Sequence, residues 1–297
     1  MKRSVTFFVC ALLTVGSLQA ADIVWISFHS GDNAPSAAAA TAGFTQAPDV
    51  GYTELLRANG HLVTRIVTSD IPNSGLLNMA DLVIISRSVP SGHYELDAET
   101  AAWNGITAPM MIMGGYVLRN TRLGFTTGTT IPDVNSNPVR LTINQPLNPI
   151  FSGITLDGTN TMVNPYASIA SFNGNPQRGI SVNTNPLAGN GTLLASIGTP
   201  GDAAVGGTVI AEWAAGSIMG NSPPDTLGGR RLVFLSGSRE SGTPALTAEG
   251  AGIFDLNPDG SRMFLNAVNY MAIPEPSSGL LIALGTGVAL LGRRKRS

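Results

Sequence analysis

The stretch Asp81–Ser86 (DLVIIS) sets four branched apolar residues in unbroken succession. A strand with one face in water alternates apolar and polar residues, whereas a continuous apolar run of this length belongs to a strand covered on both faces. A parallel sheet between two helical layers meets that condition, and the flanking sequence has the period for one. Ile23–Phe28 (IVWISF), Leu62–Val67 and Met110–Met113 (MMIM) read as further strands, the last ending in Gly114-Gly115. Asp49 stands where a helix N-cap belongs, Leu55 and Leu56 share the apolar face, and Asn59-Gly60 supplies the left-handed stop after Ala58. Leu96–Asn104 reads as a second helix with Trp103 inward, ended before Pro109. The succession strand, helix, strand, strand, helix, strand predicts an α/β fold with a doubly wound parallel sheet.

From Thr126 to about Gly191 the pattern gives way to Asn, Pro, Gly and Thr, with one strand at Val139–Ile143. This stretch reads as an irregular insertion. Order returns with Thr192–Ile197, Thr208–Trp213 and Arg231–Leu235. A final helix over Asp259–Met271 carries Met263, Phe264, Ala267, Val268 and Met271 at helical spacing. Trp25, Trp103 and Trp213 lie in or beside these elements and are assigned to the core.

Both ends differ from the middle. Lys2 and Arg3 precede an apolar region from Val5 to Val15 and a small-residue exit at Ser17-Leu18-Gln19-Ala20, the pattern of a signal peptide over residues 1–20. Cys10 lies inside that apolar region, so a chain cleaved after Ala20 has no thiol for disulfides, zinc–thiolate sites or nucleophilic catalysis. At the other end Ser277–Gly292 runs 16 residues without a charge. As a helix it would measure about 24 Å, a short membrane span that the following Arg293, Arg294, Lys295 and Arg296 lengthen by snorkelling. Four cations also mark the cytoplasmic end. Pro274-Glu275-Pro276 stands just before it and holds the chain extended.

A Pro-Glu-Pro tripeptide, a short apolar helix and an Arg-rich end, all within residues 273–297, closely resemble the PEP-CTERM sorting signal of polysaccharide-producing Gram-negative bacteria. The resemblance implies signal peptidase and exosortase as partners and transient residence in the inner membrane. It further implies delivery to the cell surface or extracellular matrix, with extracellular polysaccharide as a partner there.

Residues 21–272 remain as the main domain. Of the 17 basic residues, two lie in the signal and four in the tail; of the 19 acidic residues only Glu275 lies in the tail, which leaves a charge of about −7. All the remaining cations are arginines. An acidic, lysine-free domain is a poor nucleic-acid partner, and none is expected.

Within this domain GHLVTRIV, NMADLVIIS and APMMIMGG are similar to a class I glutamine amidotransferase-like domain, and more narrowly to its trehalose-utilisation (ThuA-like) branch, which implies a flavodoxin-like fold. Leu147–Ile154 (LNPIFSGI) resembles the branch's His-Pro-Ile…Gly segment. RRLVFLSGS with GSRMFLNAVNYM resembles its closing strand and helix. The sequence departs from the family at its centre. The turn that should carry a Gly-x-Cys-x-Gly nucleophile reads Gly114-Gly115-Tyr116-Val117-Leu118, and Asn148 stands where the segment's His would be.

Ligands of such sheets sit at the carboxyl ends of the strands. Those ends place His29, Arg87, Ser88, Tyr116, Arg239 and Glu240 as the candidate pocket, with guanidiniums and hydroxyls suited to a sugar or a carboxylate; the alternative for Arg87 and Arg239 is pairing with Asp and Glu around the sheet rim. His61, after a helix stop, reads as solvated or as a partner for the helix's last carbonyls, and His93, on a loop, as surface. His29 and Asp32 alone are too few for a metal, and no cofactor or metal is expected. Two readings follow: a non-catalytic surface module that binds a glycan or small polar ligand, and a ThuA-like enzyme on sugar derivatives with His29 or Glu240 as general base. The missing thiol, the few histidines and Asn148 favour the first.

Overall fold

The computed structural model describes residues 20–272 except 135, 137, 168–170, 173–174 and 242–247. The expected signal peptide up to Gln19 and the Pro-Glu-Pro segment with its tail lie outside the described residues. Among the described residues no helix is long and apolar enough to cross a membrane.

In chain order the elements begin β1 (Asp22–Ser27), α1 (Ala37–Thr41), α2 (Val50–Ala58), β2 (Leu62–Val67), α3 (Ser74–Leu77), β3 (Leu82–Ile85), α4 (Asp97–Asn104) and β4 (Met110–Ile112). They continue with β5 (Asp133–Val134), β6 (Arg140–Ile143), β7 (Thr161–Val163), β8 (Ser171–Phe172), β9 (Asn175–Arg178), β10 (Ile180–Ser181), β11 (Thr192–Ile197) and β12 (Thr208–Trp213). The last are β13 (Arg231–Phe234), β14 (Arg239–Ser241) and α5 (Pro258–Ala272).

Nine strands form one sheet in the order β2-β1-β3-β4-β13-β12-β11-β6-β7. The first five are parallel, with Trp25 opposite Arg65 and Ile84, and Met111 opposite Ile84 and Leu232. Read in their own chain order they run 2-1-3-4-5, the flavodoxin-like arrangement with its switch point between β1 and β3. β3 is buried at every residue, as its unbroken apolar run demands.

Beyond β13 the sheet turns antiparallel through β12, β11, β6 and β7. The doubly wound parallel expectation therefore holds for five strands and is corrected for the other four. The cause is connectivity. No helical crossover separates β11, β12 and β13, and connections without one join antiparallel neighbours. Residues 126–191, expected to be irregular, contribute β6 and β7 to this sheet and β5, β8, β9 and β10 to two small ones.

The core sits on both faces. The right-handed crossover rule sets α2 and α4 on opposite sides, because β1 to β2 and β3 to β4 step in opposite directions. α5 joins α2: Phe264 packs on Tyr52 with ring centroids 5.3 Å apart and on Phe234 at 5.7 Å. Met263, Ala267, Val268 and Met271 are buried with it. On the other face Trp103 packs against Tyr94 at 5.0 Å. Pro149–Phe151 forms a single 3₁₀ turn against α5, and Asn148 caps it by accepting from Ile150 N–H at 3.1 Å. Asn148, one of the two places where the sequence departs from the pattern it resembles, is thus a structural cap.

Candidate functional site: the carboxyl edge of the parallel sheet

A closed polar network fills the carboxyl ends of β1, β2 and β3. Asp49 is wholly buried, and its Oδ2 accepts from Trp25 Nε1 (2.9 Å), Ser27 Oγ (2.8 Å) and Ser86 Oγ (2.6 Å). Its Oδ1 accepts from Arg65 Nη1 at 2.8 Å. Asp49 does occupy the position before α2, but its side chain makes no capping bond, so the expected N-cap is corrected. A carboxylate this deep must find donors, and four converge on it. Arg65 also reaches Asp32 through Nε at 2.5 Å, and Asp32 further binds Thr53 and Arg57. Burial raises the Asp32 carboxyl, but the Arg65 and Thr53 hydrogen bonds and the two arginine charges outweigh it and hold the pKa low. Asp32 is thereby committed to arginine. Among the described residues no group of three or more His, Cys, Asp or Glu could hold a metal.

His29 stands beside this network and is wholly buried. Ser36 N–H donates to its Nδ1 at 3.0 Å, so the neutral ring carries its proton on Nε2. That proton is donated to Ser88 Oγ at 2.9 Å, and Ser88 Oγ in turn donates toward Ala248 O at 3.4 Å. Burial lowers the His29 pKa, opposed by the Asp49 charge and reinforced by that of Arg65. The imidazole is therefore a neutral donor to Ser88. A base that activated the hydroxyl would have to accept from it instead.

Arg87, Tyr116, Arg239 and Glu240 form a second group. The ring of Tyr116 lies 5.5 Å from the guanidinium carbon of Arg87, 5.0 Å from that of Arg239 and 5.3 Å from that of Arg119. Glu240 bridges Arg87 Nη2 and Arg239 Nε, each at 3.2 Å. Asp133 accepts from Arg239 Nη1 with both oxygens, at 3.0 and 2.8 Å. Burial lowers the Arg87 pKa against the opposing charge of Glu240; burial likewise lowers that of Arg239, but Asp133 more than compensates and the net shift is upward. Gly115 precedes the ring because a Cβ there would come 2.2 Å from Ser181 O. The expected single pocket is thus two neighbouring groups, His29 with Ser88 and Arg87 with Tyr116, Arg239 and Glu240.

Sequence reasoning missed the partners that complete both groups: Asp49, Arg65, Ser36, Asp133 and Arg119. Arg119 lies three residues beyond Tyr116 and donates from Nε to the Tyr116 carbonyl at 2.9 Å, a local signal that could have been read. Asp255 was also missed. It is buried under Tyr52 OH (2.7 Å) and Gly237 N–H (3.0 Å), and burial pushes its pKa up. His61 is corrected from solvated to buried: its Nδ1 accepts from Ala21 N–H at 3.3 Å, and burial lowers its pKa. His93 is half-buried, 3.5 Å from Asp70.

No protein-family model matches the sequence, and no curated protein matches it either. The fold is similar to solved structures. One is a ThuA-like protein from Bacteroides uniformis, at 11% identity and a TM-score of 0.48 over 86% of this chain and 92% of that one. A ThuA-like protein from Parabacteroides merdae follows at 9% identity and 0.46, over 87% and 94%. A GMP synthase subunit from Thermoplasma acidophilum gives 12% identity and 0.41, over 86% and 95%.

Proposed function

We propose that the chain is an exported protein of a Gram-negative cell surface or matrix, sorted by an exosortase, whose α/β domain is a non-catalytic binder of a glycan or other polar ligand. The sorting reading is supported by the order of Pro274-Glu275-Pro276, the uncharged Ser277–Gly292 and the basic Arg293–Arg296. The non-catalytic reading is carried by one observation: Glu240 sits between Arg87 and Arg239, so each candidate acid or base at this edge already holds a partner. His29 is likewise committed as a donor. What remains is a rigid polar surface suited to hydrogen-bonding a ligand.

The tail is tested by intact-mass analysis of surface material from a host carrying the exosortase. Loss of the residues after about Pro276 is expected, and recovery of Arg293–Ser297 on the surface form contradicts it. Replacing Pro274, Glu275 and Pro276 with alanine should leave the chain in the inner membrane. The non-catalytic reading fails if turnover of a sugar derivative is detected and is abolished by His29→Gln.

A further inference from the structure

Charge is unbalanced around Tyr116. Three guanidiniums, of Arg87, Arg119 and Arg239, stand within 5.5 Å of its ring, against the carboxylates of Glu240 and Asp133. Both carboxylates are taken by Arg87 and Arg239. Among the described residues Arg119 hydrogen-bonds only neutral groups, the Tyr116 carbonyl and Ser91 Oγ, each at 2.9 Å. Its Nη1 makes no hydrogen bond to a described residue. Burial and the neighbouring Arg122 lower its pKa more than Tyr116 and Glu95 raise it, and Glu95 itself is paired with Arg122. The Tyr116 hydroxyl is also without a partner among the described residues, and the Ser91 hydroxyl, an acceptor here, keeps its own proton to donate.

We propose that this cluster recognises the carboxylate of a uronate residue in an acidic polysaccharide, with Arg119 as its principal contact. The inference rests on the ligand-binding reading above and names its ligand class. A guanidinium edge matches a carboxylate in geometry and charge. The Tyr116 and Ser91 hydroxyls supply donors for the ring oxygens and hydroxyls of the sugar. The rest of the domain argues for a local site. With a net charge of about −7 between signal and tail, it repels polyanions everywhere except where cations are concentrated.

The test is calorimetry on the full-length chain in detergent, with three probes: an oligogalacturonate, a neutral galactose oligomer of equal length, and inorganic phosphate. Oligogalacturonate should bind, weaken with added salt, and lose roughly tenfold or more in affinity in Arg119→Gln, as expected for a charge-assisted hydrogen bond. Tyr116→Phe, which removes one hydroxyl and keeps the ring, should cost a few-fold and guards against a misfolded arginine variant. Equal binding of the neutral oligomer, unaffected by Arg119→Gln, overturns the carboxylate assignment and leaves the glycan reading standing. Phosphate binding that displaces the oligogalacturonate and outcompetes it overturns the sugar assignment. Binding of none of the three overturns both.

Discussion

Two arginine-rich networks lie on the same edge of one sheet and end in opposite states. Around Asp49 the accounts close: Arg65 is shared by Asp49 and Asp32, and each Asp49 oxygen has donors. Around Tyr116 they do not, because Arg119 has a ring, a carbonyl and a hydroxyl but, among the described residues, no hydrogen-bonded carboxylate. Depth explains the difference. The Asp49 network is sealed beneath α2, where an unpaired charge would cost several kcal/mol. Tyr116 and Arg119 are half-buried, and water screens what the protein leaves unpaired. The closed network is scaffold, and the open one is where we propose the site.

The comparison breaks most visibly in the closed network. Asp49→Ala strands the donors of Trp25, Ser27 and Ser86 and removes one of Arg65's two carboxylate partners, and should cost about 3–5 kcal/mol by urea unfolding. A loss below about 1 kcal/mol would mean water repairs the gap. Glu240→Ala comes next. Among the described residues it leaves Arg87 in contact only with the Tyr116 ring, and it should cost roughly 2–3 kcal/mol. Arg239 keeps Asp133 and should stay in place.

A subtler test uses pH. His29 has its folded pKa lowered by burial, so between that value and the unfolded 6.5 the unfolded chain binds the extra proton. Its contribution is therefore complete above about pH 7 and is lost as pH falls through 6.5 toward the folded value. His61 shifts the same way. Asp255, raised by burial, has the opposite sign, since its folded state takes up the proton first on acidification. The urea midpoint of His29→Gln should accordingly depend less on pH than that of the parent between about pH 7.5 and 5.5. Equal slopes would show that His29 takes up its proton alike in the folded and unfolded chains, so that burial does not hold it neutral.

How much of this was legible in the sequence follows from the range of each signal. The apolar runs of β1, β3 and β4 and the helical spacing of α5 are local and marked their elements to within a residue or two. α1 and α3, at five and four residues, are too short to show a helical period. The antiparallel half was hidden because strand direction is set by connections, which residues 126–191 disguise under Asn, Pro and Gly. The site was half legible. Topology brings His29, Arg87, Tyr116 and Glu240 to one edge, so position along the strands sufficed to choose them. Their partners come from far along the chain: Asp133 lies 106 residues from Arg239, and Glu240 lies 153 from Arg87. No pattern within a window announces such pairs, so a cluster that is paired and one that is open look alike in sequence.

The smallest expected effect on stability falls in the open network. Arg119→Gln should change the unfolding free energy by less than about 1 kcal/mol, because only neutral partners are lost from a half-buried position. The most direct test of the contrast is the melting temperature of the parent and of Arg119→Gln as oligogalacturonate is added. The two should melt alike without the sugar. With it, the parent should rise steadily with concentration, as binding to the folded state alone requires, while the variant stays flat. Parallel rises in both, or a variant already much less stable before any sugar is added, would make the Tyr116 cluster one more closed piece of scaffold.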